Sequence, residues 1–145
     1  MDIILGSDHA GFQLKEECRI YLETNPVHRI TDAGVFSRES SDYPEIAHKV
    51  ALSIVNGECQ RGILICGSGI GMSITANRHK GVRAALCHNL YLARMSRQHN
   101  DANILVMGGR VIGTGLALEM VEVFMETKFE GGRHSKRLDL IDHHN

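Results

Sequence analysis

The chain has no tryptophan and only two prolines, and aromatic residues make up just 5% of its 145 positions. Single-stranded nucleic acid is gripped by exposed aromatic stacking platforms, so this composition argues against that class of function. Neither sign of charge is in excess: 16 Lys and Arg face 17 Asp and Glu, for a formal net charge of -1. No general pull toward nucleic acid or an anionic membrane follows. No apolar run approaches the ~18 residues that a membrane-spanning helix needs. Met1-Asp2 leads directly into a short strand-like run instead of a signal-peptide pattern. The four cysteines, Cys18, Cys59, Cys66 and Cys87, show no C-x-x-C spacing. They read as reduced thiols, and the expected location is cytoplasmic. The nine histidines contain no H-E-x-x-H pattern, and no metal site is expected.

What is present suits one globular domain over residues 1–145, with 43% hydrophobic residues. Ile3-Ile4-Leu5 reads as a strand, and Ala10, Leu14, Cys18 and Leu22 then recur at helical spacing. Residues 27–33 form a second strand. Asp42 and Pro44 signal the start of a helix whose apolar stripe from Ile46 to Val55 stops at Gly57. The alternation continues with strands at 63–66, 82–87 and 104–107. Helices are expected over 70–78 and 90–97, around Leu116–Phe124, and from Arg133 to about Ile141. Apolar strands alternating with amphipathic helices imply an α/β fold whose parallel sheet is covered on both faces. Ligands in such open sheets bind beyond the carboxyl ends of the strands. Ser7-Asp8-His9, Cys66-Gly67-Ser68, Cys87-His88 and Gly108-Gly109-Arg110 all fall at such ends.

The most informative stretch is Ile63-Leu64-Ile65-Cys66-Gly67-Ser68-Gly69-Ile70-Gly71. An apolar strand runs into a glycine turn and then a helix, which puts a thiol beside free helix N-terminal amides. Thiols in such places ionise more readily than free ones, and the amides attract anions. Nucleotide readings fit poorly: a dinucleotide fingerprint wants glycine where Met72 stands, and the Lys-[Ser/Thr] of a P-loop is absent. A small-anion cradle remains. A cysteine on an apolar strand more commonly just packs, and Cys18 and Cys59 are read that way. Asp8 suits an N-cap, whereas His9 beside it could hold an anion. Ser96 to Asp101 reads as a solvated polar loop. Arg133 and Arg137 are four apart and share a helix face, a spacing that suits phosphate. The bland alternative is a solvated basic tail.

Taken together, Gly6-Ser7-Asp8-His9, Asp42-Tyr43-Pro44, Cys66 to Gly71, Asn77, Ser96 to Asp101, and Gly131-Gly132-Arg133-His134 with Arg137 resemble the type B ribose-5-phosphate isomerases. These belong to the wider ribose/galactose-6-phosphate isomerase group, and the resemblance spans essentially the whole chain. It implies a Rossmann-like three-layer α/β/α fold with a five-stranded parallel sheet. It implies interconversion of ribose 5-phosphate and ribulose 5-phosphate, a pentose phosphate pathway step, through a cis-enediolate and without a cofactor. It further implies a homodimer or dimer of dimers with active sites at the subunit interface and a small sugar phosphate as partner. By the same resemblance Cys66 is the base, with Ser68 and the amides of Gly67, Gly69 and Gly71 cradling the enediolate oxygen. His99 and Asp8 open the sugar ring. His9, Arg110, Arg133 and Arg137 bind phosphate, and Tyr43, Asn77 and Asn100 contact sugar hydroxyls or position loops. His99, Asn100 and Arg110 are expected from the neighbouring subunit.

Two positions depart from the family pattern. Ser68 stands where threonine is common, which keeps the hydroxyl. Met72 stands where some members carry a glutamate base, which leaves proton transfer to Cys66. The retained Arg97 to Asn100 stretch favours a ribose over a galactose substrate. The alternatives are an isomerase of a related sugar phosphate such as allose 6-phosphate, a non-catalytic sugar-phosphate-binding protein, and a Cys/His acyl hydrolase.

Overall fold

The computed structural model describes residues 1–143. Five strands, β1 (Asp2–Ser7), β2 (Arg29–Asp32), β3 (Arg61–Cys66), β4 (Ala84–Leu86) and β5 (Ile104–Gly108), form one sheet in the order β2-β1-β3-β5-β4. Every pairing is parallel. Six helices join and flank them: α1 (Phe12–Glu23), α2 (Tyr43–Val55), α3 (Ile70–Ala76), α4 (Leu90–Asn100), α5 (Thr114–Glu126) and α6 (Arg133–Asp142). This is the expected three-layer α/β/α arrangement.

The layers follow from strand periodicity. Successive side chains on a strand point to opposite faces, and here both faces are apolar. Ile3, Leu5, Ile63, Ile65, Leu105 and Met107 pack against Leu14 and Cys18 of α1 and Met120 and Phe124 of α5. Ile4, Leu64, Cys66, Ile104 and Val106 face the other way, against Val50 of α2 and Met72 and Ala76 of α3. Lys15 interrupts the apolar pattern of α1 yet is fully buried. Its ammonium donates to both oxygens of Asp32, at 2.6 and 2.7 Å, and so ties α1 to the end of β2.

Three elements differ from the sequence reading. Strand β2 keeps four residues of the expected seven, because the Val27 and His28 amides turn back to donate to Asn25. Strand β4 keeps three residues of the expected six, because Val82 turns back to donate to the His79 carbonyl and Arg83 bonds to the Asn103 side chain. Residues 96–100, read as loop, form the last turns of α4. The reason is Arg97, only 3% exposed. Its guanidinium pairs with Asp101 at 2.8 Å and lies over the Phe124 ring, so a charged residue is held in the packed face of the helix. Asp101 then closes the helix in the left-handed conformation, at φ 42°.

Two thiols are sealed in these layers. Burial, reinforced by Glu17, pushes Cys18 from 9.0 up to about 12. Burial likewise pushes Cys87 up to about 11, against a hydrogen bond with Ser96. Above its ordinary thiol range the unfolded chain sheds protons that the folded chain keeps, so stability falls as pH rises from about 9 toward 12. We predict that Cys18→Ala flattens this alkaline loss in urea titrations run on either side of that window. An unchanged slope would contradict the assignment.

Candidate active site

The strand order reverses between β1 and β3: the chain leaves β1 toward β2 on one side and returns to β3 on the other. Such a switch point opens a crevice at the carboxyl edge of the sheet. A cleft of about 660 Å³ lies there, lined by Asp8, Tyr43, Cys66, Gly67, Ser68 and Arg110 among others.

Cys66 ends β3 and is 5% exposed. The chain then turns through Gly69, at φ +81°, a left-handed conformation that favours glycine. That turn swings the Gly69 amide back to donate to the Cys66 Sγ at 3.1 Å. A hydrogen bond of this kind strengthens when its acceptor is ionised. The Ile70 amide donates to the Ser68 hydroxyl oxygen at 3.2 Å. The amides of Gly67, Ser68 and Gly71 have no hydrogen-bond partner among the described residues. The expected cradle is thus narrower than the whole loop, since one of its amides serves the thiol and another serves a side chain. Tyr43 covers Gly71 so closely that a Cβ there would stand 2.4 Å from the ring.

The other groups on this edge come from two neighbouring turns. Asp8 follows β1, is 7% exposed and accepts from the Gly11 amide at 3.0 Å. The N-cap of α1 is Gly11, so the capping role read for Asp8 shifts to the turn that precedes the helix. The His9 Nδ1 accepts from the Ser41 amide at 3.2 Å, which leaves the proton on Nε2 as a free donor. Arg110 follows β5, and its Nη1 lies 3.5 Å from where a Gly67 Cβ would sit. Arg110 therefore stands beside Cys66 of its own chain. This corrects the grouping of Arg110 with His99 and Asn100. The cause is register: Cys66 pairs with Gly108, so the turn after β5 opens beside the thiol.

His99, Asn100, Arg133 and Arg137 are elsewhere. They lie at the end of α4 and along α6, beyond Ile104, which pairs with Gly62 at the amino edge of the sheet. At ~3.3 Å per residue, the strand alone separates the two edges by ~13 Å. One chain does not bring His99 to Cys66. Asn77 also stays off the cleft: its amide donates to the Ala84 carbonyl and accepts from the Ala84 N–H, each at 2.8 Å. Of the roles expected for Asn77, this geometry suits positioning.

Around His99 the structure adds two residues to which no role was assigned. His134 stacks on it with ring centroids 4.2 Å apart and planes 12° apart. Burial, with His99 and Arg133 nearby, holds His134 below the usual imidazole range. Glu130 sits close by because its amide donates to the Gln98 carbonyl at 3.0 Å. Glu130 and His134 are four apart in the sequence, but nothing local ties that pair to His99 on α4. No helix among the described residues is long and apolar enough to cross a membrane.

A cleft thiol at the switch point of a parallel sheet, under a glycine loop, defines a class of small-molecule enzyme sites, and comparison with known proteins identifies the family. The ribose/galactose isomerase family model matches residues 3–141, and the chain belongs to that family. It is 46% identical over 139 residues to ribose-5-phosphate isomerase B of Escherichia coli, covering 96% of this chain and 93% of that one. It is 38% identical over 145 residues to D-erythrulose-4-phosphate isomerase of Pectobacterium atrosepticum, covering 99% and 95%. The solved ribose-5-phosphate isomerase B of Clostridium thermocellum superposes with a TM-score of 0.96 at 49% identity, covering 98% and 95%. The resemblance read from the motifs is borne out.

The thiol loop depends on Gly69. A Cβ there would lie 2.5 Å from Leu86 Cδ1 and 3.0 Å from the Met107 backbone. Gly57 has a similar φ, +73°, with nothing within 4 Å. We predict that Gly57→Ala costs about 1 kcal/mol of stability, the left-handed penalty alone. Gly69→Ala should cost roughly 2–3 kcal/mol more, as for overpacking. Equal denaturant midpoints for the two variants would show that the loop is not clamped as described.

Proposed function

We propose that the protein is an aldose–ketose isomerase that interconverts ribose 5-phosphate and ribulose 5-phosphate, with Cys66 as the base. The observation that carries this reading is the Cys66 thiol itself, held by the Gly69 amide at the cleft. The likeness to the Escherichia coli ribose-5-phosphate isomerase B supports the choice of substrate.

In this mechanism the Cys66 thiolate takes the proton from C2 of the open-chain aldose. The C–H electron pair becomes the C1–C2 double bond, and the carbonyl π pair moves onto O1. The resulting enediolate accepts hydrogen bonds from the free amides of Gly67, Ser68 and Gly71 and from the Ser68 hydroxyl. Donors aimed at developing charge supply the largest stabilising term in such sites. The oxygen-bound proton passes from O2 to O1, and Cys66 returns its proton to C1 to give the ketose. His99 with Asp8 opens the furanose ring beforehand. His9, Arg110, Arg133 and Arg137 hold the phosphate, which orients the reacting carbons. Tyr43 and Asn100 contact the sugar, and Asn77 holds the backbone next to β4.

His99 must then reach Cys66 from a second copy of the chain. The rim of the cleft supports this: Ile70, Ile74 and Val111 are 54%, 54% and 60% exposed, an apolar border suited to being covered. The proposed working unit is a homodimer with two interfacial sites, or a dimer of such dimers.

A second substrate has a specific observation behind it, the likeness to a D-erythrulose-4-phosphate isomerase. Comparing kcat/KM for ribose 5-phosphate, erythrulose 4-phosphate and allose 6-phosphate decides the matter. The largest value for ribose 5-phosphate is expected.

Cys66→Ala should lower kcat by roughly 10²–10⁴-fold, the usual contribution of a general base, with KM nearly unchanged. Near-normal turnover by that variant would remove Cys66 from the mechanism. The interfacial site has its own test. Cys66→Ala and His99→Asn proteins, each impaired alone, are unfolded together and refolded. With two-fold symmetric interfaces, about a quarter of all sites regain both intact residues. Recovery of about that fraction of wild-type activity is expected, whereas no recovery would place the two residues in one chain or in no shared site.

A further inference from the structure

We propose that His99, Glu130 and His134 form a binding site for a divalent transition-metal ion of the zinc class. Their candidate ligand atoms, two imidazole nitrogens and a carboxylate oxygen, all lie within 4.8 Å of one another. Imidazole and carboxylate at ~2.0–2.2 Å are the ligands zinc takes, and two ligands of one tetrahedral ion stand about 3.4 Å apart. The cluster is therefore a little more open than the bound geometry. His99 is half-buried and Glu130 exposed, so both can move by the ångström or so required. The His99 ring must also turn out of its near-parallel stack on the buried His134, because lone pairs lying in parallel ring planes do not converge on one ion.

The fixed member is His134, and it supplies the independent sign of a ligand. The residue is 4% exposed, and its Nε2 is buried without a hydrogen-bond partner. The nearest carboxylate oxygen, Glu130 Oε2, stands 3.5 Å from that nitrogen. A buried polar atom left unsatisfied is costly, and a metal ion would satisfy it. The backbone sets the cluster from two directions: the Glu130 amide is pinned to the Gln98 carbonyl, and the His134 amide donates to the Gly131 carbonyl. Arg133 and Arg137 on the same helix oppose a dication, so the affinity belongs in the micromolar range and not the far tighter range of closed structural zinc sites.

Metal binding rests on this geometry alone. Its consequence, inhibition of turnover, rests on the role proposed for His99, whose nitrogen would be taken from the sugar. The test titrates the metal-free full-length protein with Zn²⁺ against a chromophoric chelator of micromolar affinity. One ion per chain is expected. Glu130→Gln and His134→Gln should each weaken binding at least tenfold, while Cys66→Ala should leave it unchanged. No stoichiometric binding, binding indifferent to both cluster variants, or binding lost with Cys66 would each overturn the site. Turnover measured beside the titration should fall as the site fills, recover with a strong chelator, and resist Zn²⁺ at least tenfold better in Glu130→Gln. Stoichiometric, variant-sensitive binding without inhibition would retain the metal site and refute the role of His99.

Discussion

Because every strand of the sheet runs the same way, the chain sorts its chemistry onto two opposite edges. Whatever follows a strand lands at the carboxyl edge, and whatever precedes one lands at the amino edge. Asp8, His9 and Arg110 follow strands, and Cys66 is the last residue of one. His99 and Asn100 precede β5, and α6 is bound to that same end where Arg83 pairs with Asp101 and Asp142 at 3.2 and 3.0 Å. No side-chain rotation bridges a strand length. A reaction that needs both sets requires two copies of the chain, and this requirement stems from the topology.

The same topology separates four chemically identical thiols. Cys18 and Cys87 are enclosed between helix and sheet, where low polarity favours the neutral thiol. Cys59 is buried in the layer under α2. Cys66 alone of the four lies at the crevice, with an amide donated to its sulfur. Burial is nearly the same for all of them, since Cys66 is itself 5% exposed. What differs is whether the few exposed square ångströms face a cleft and whether a backbone amide of a helix N-terminal turn is aimed at the sulfur.

This contrast explains what was legible in the sequence. The order and type of the elements could be read because strand and helix periodicities are local, and so could the carboxyl-edge groups, because strand ends announce themselves. Arg97 was not readable as a core residue: its burial depends on Phe124 and Asp101, partners that no local pattern assigns to it. The expected loop at 96–100 failed for that reason. Arg110 was misgrouped because the register of Cys66 with Gly108 is a long-range fact. The pairing of His134 with His99 and Glu130 was invisible because it joins α4, α6 and the segment between α5 and α6.

The proposed phosphate ligands carry the argument one step further. His9 and Arg110 stand at the carboxyl edge, whereas Arg133 and Arg137 stand with His99 at the other. In the proposed two-copy site the three arginines would meet across the interface. Two unit charges ~6 Å apart at an effective dielectric of ~20 repel by about 3 kcal/mol, so the facing clusters oppose close approach while the site is empty. A phosphate dianion between them reverses the sign of that contribution. A ligand that binds the assembled site and not the separate chains favours assembly by mass action. In that proposed site the substrate would tighten the interface, and the phosphate, remote from the carbons that react, would couple binding to the completion of the site.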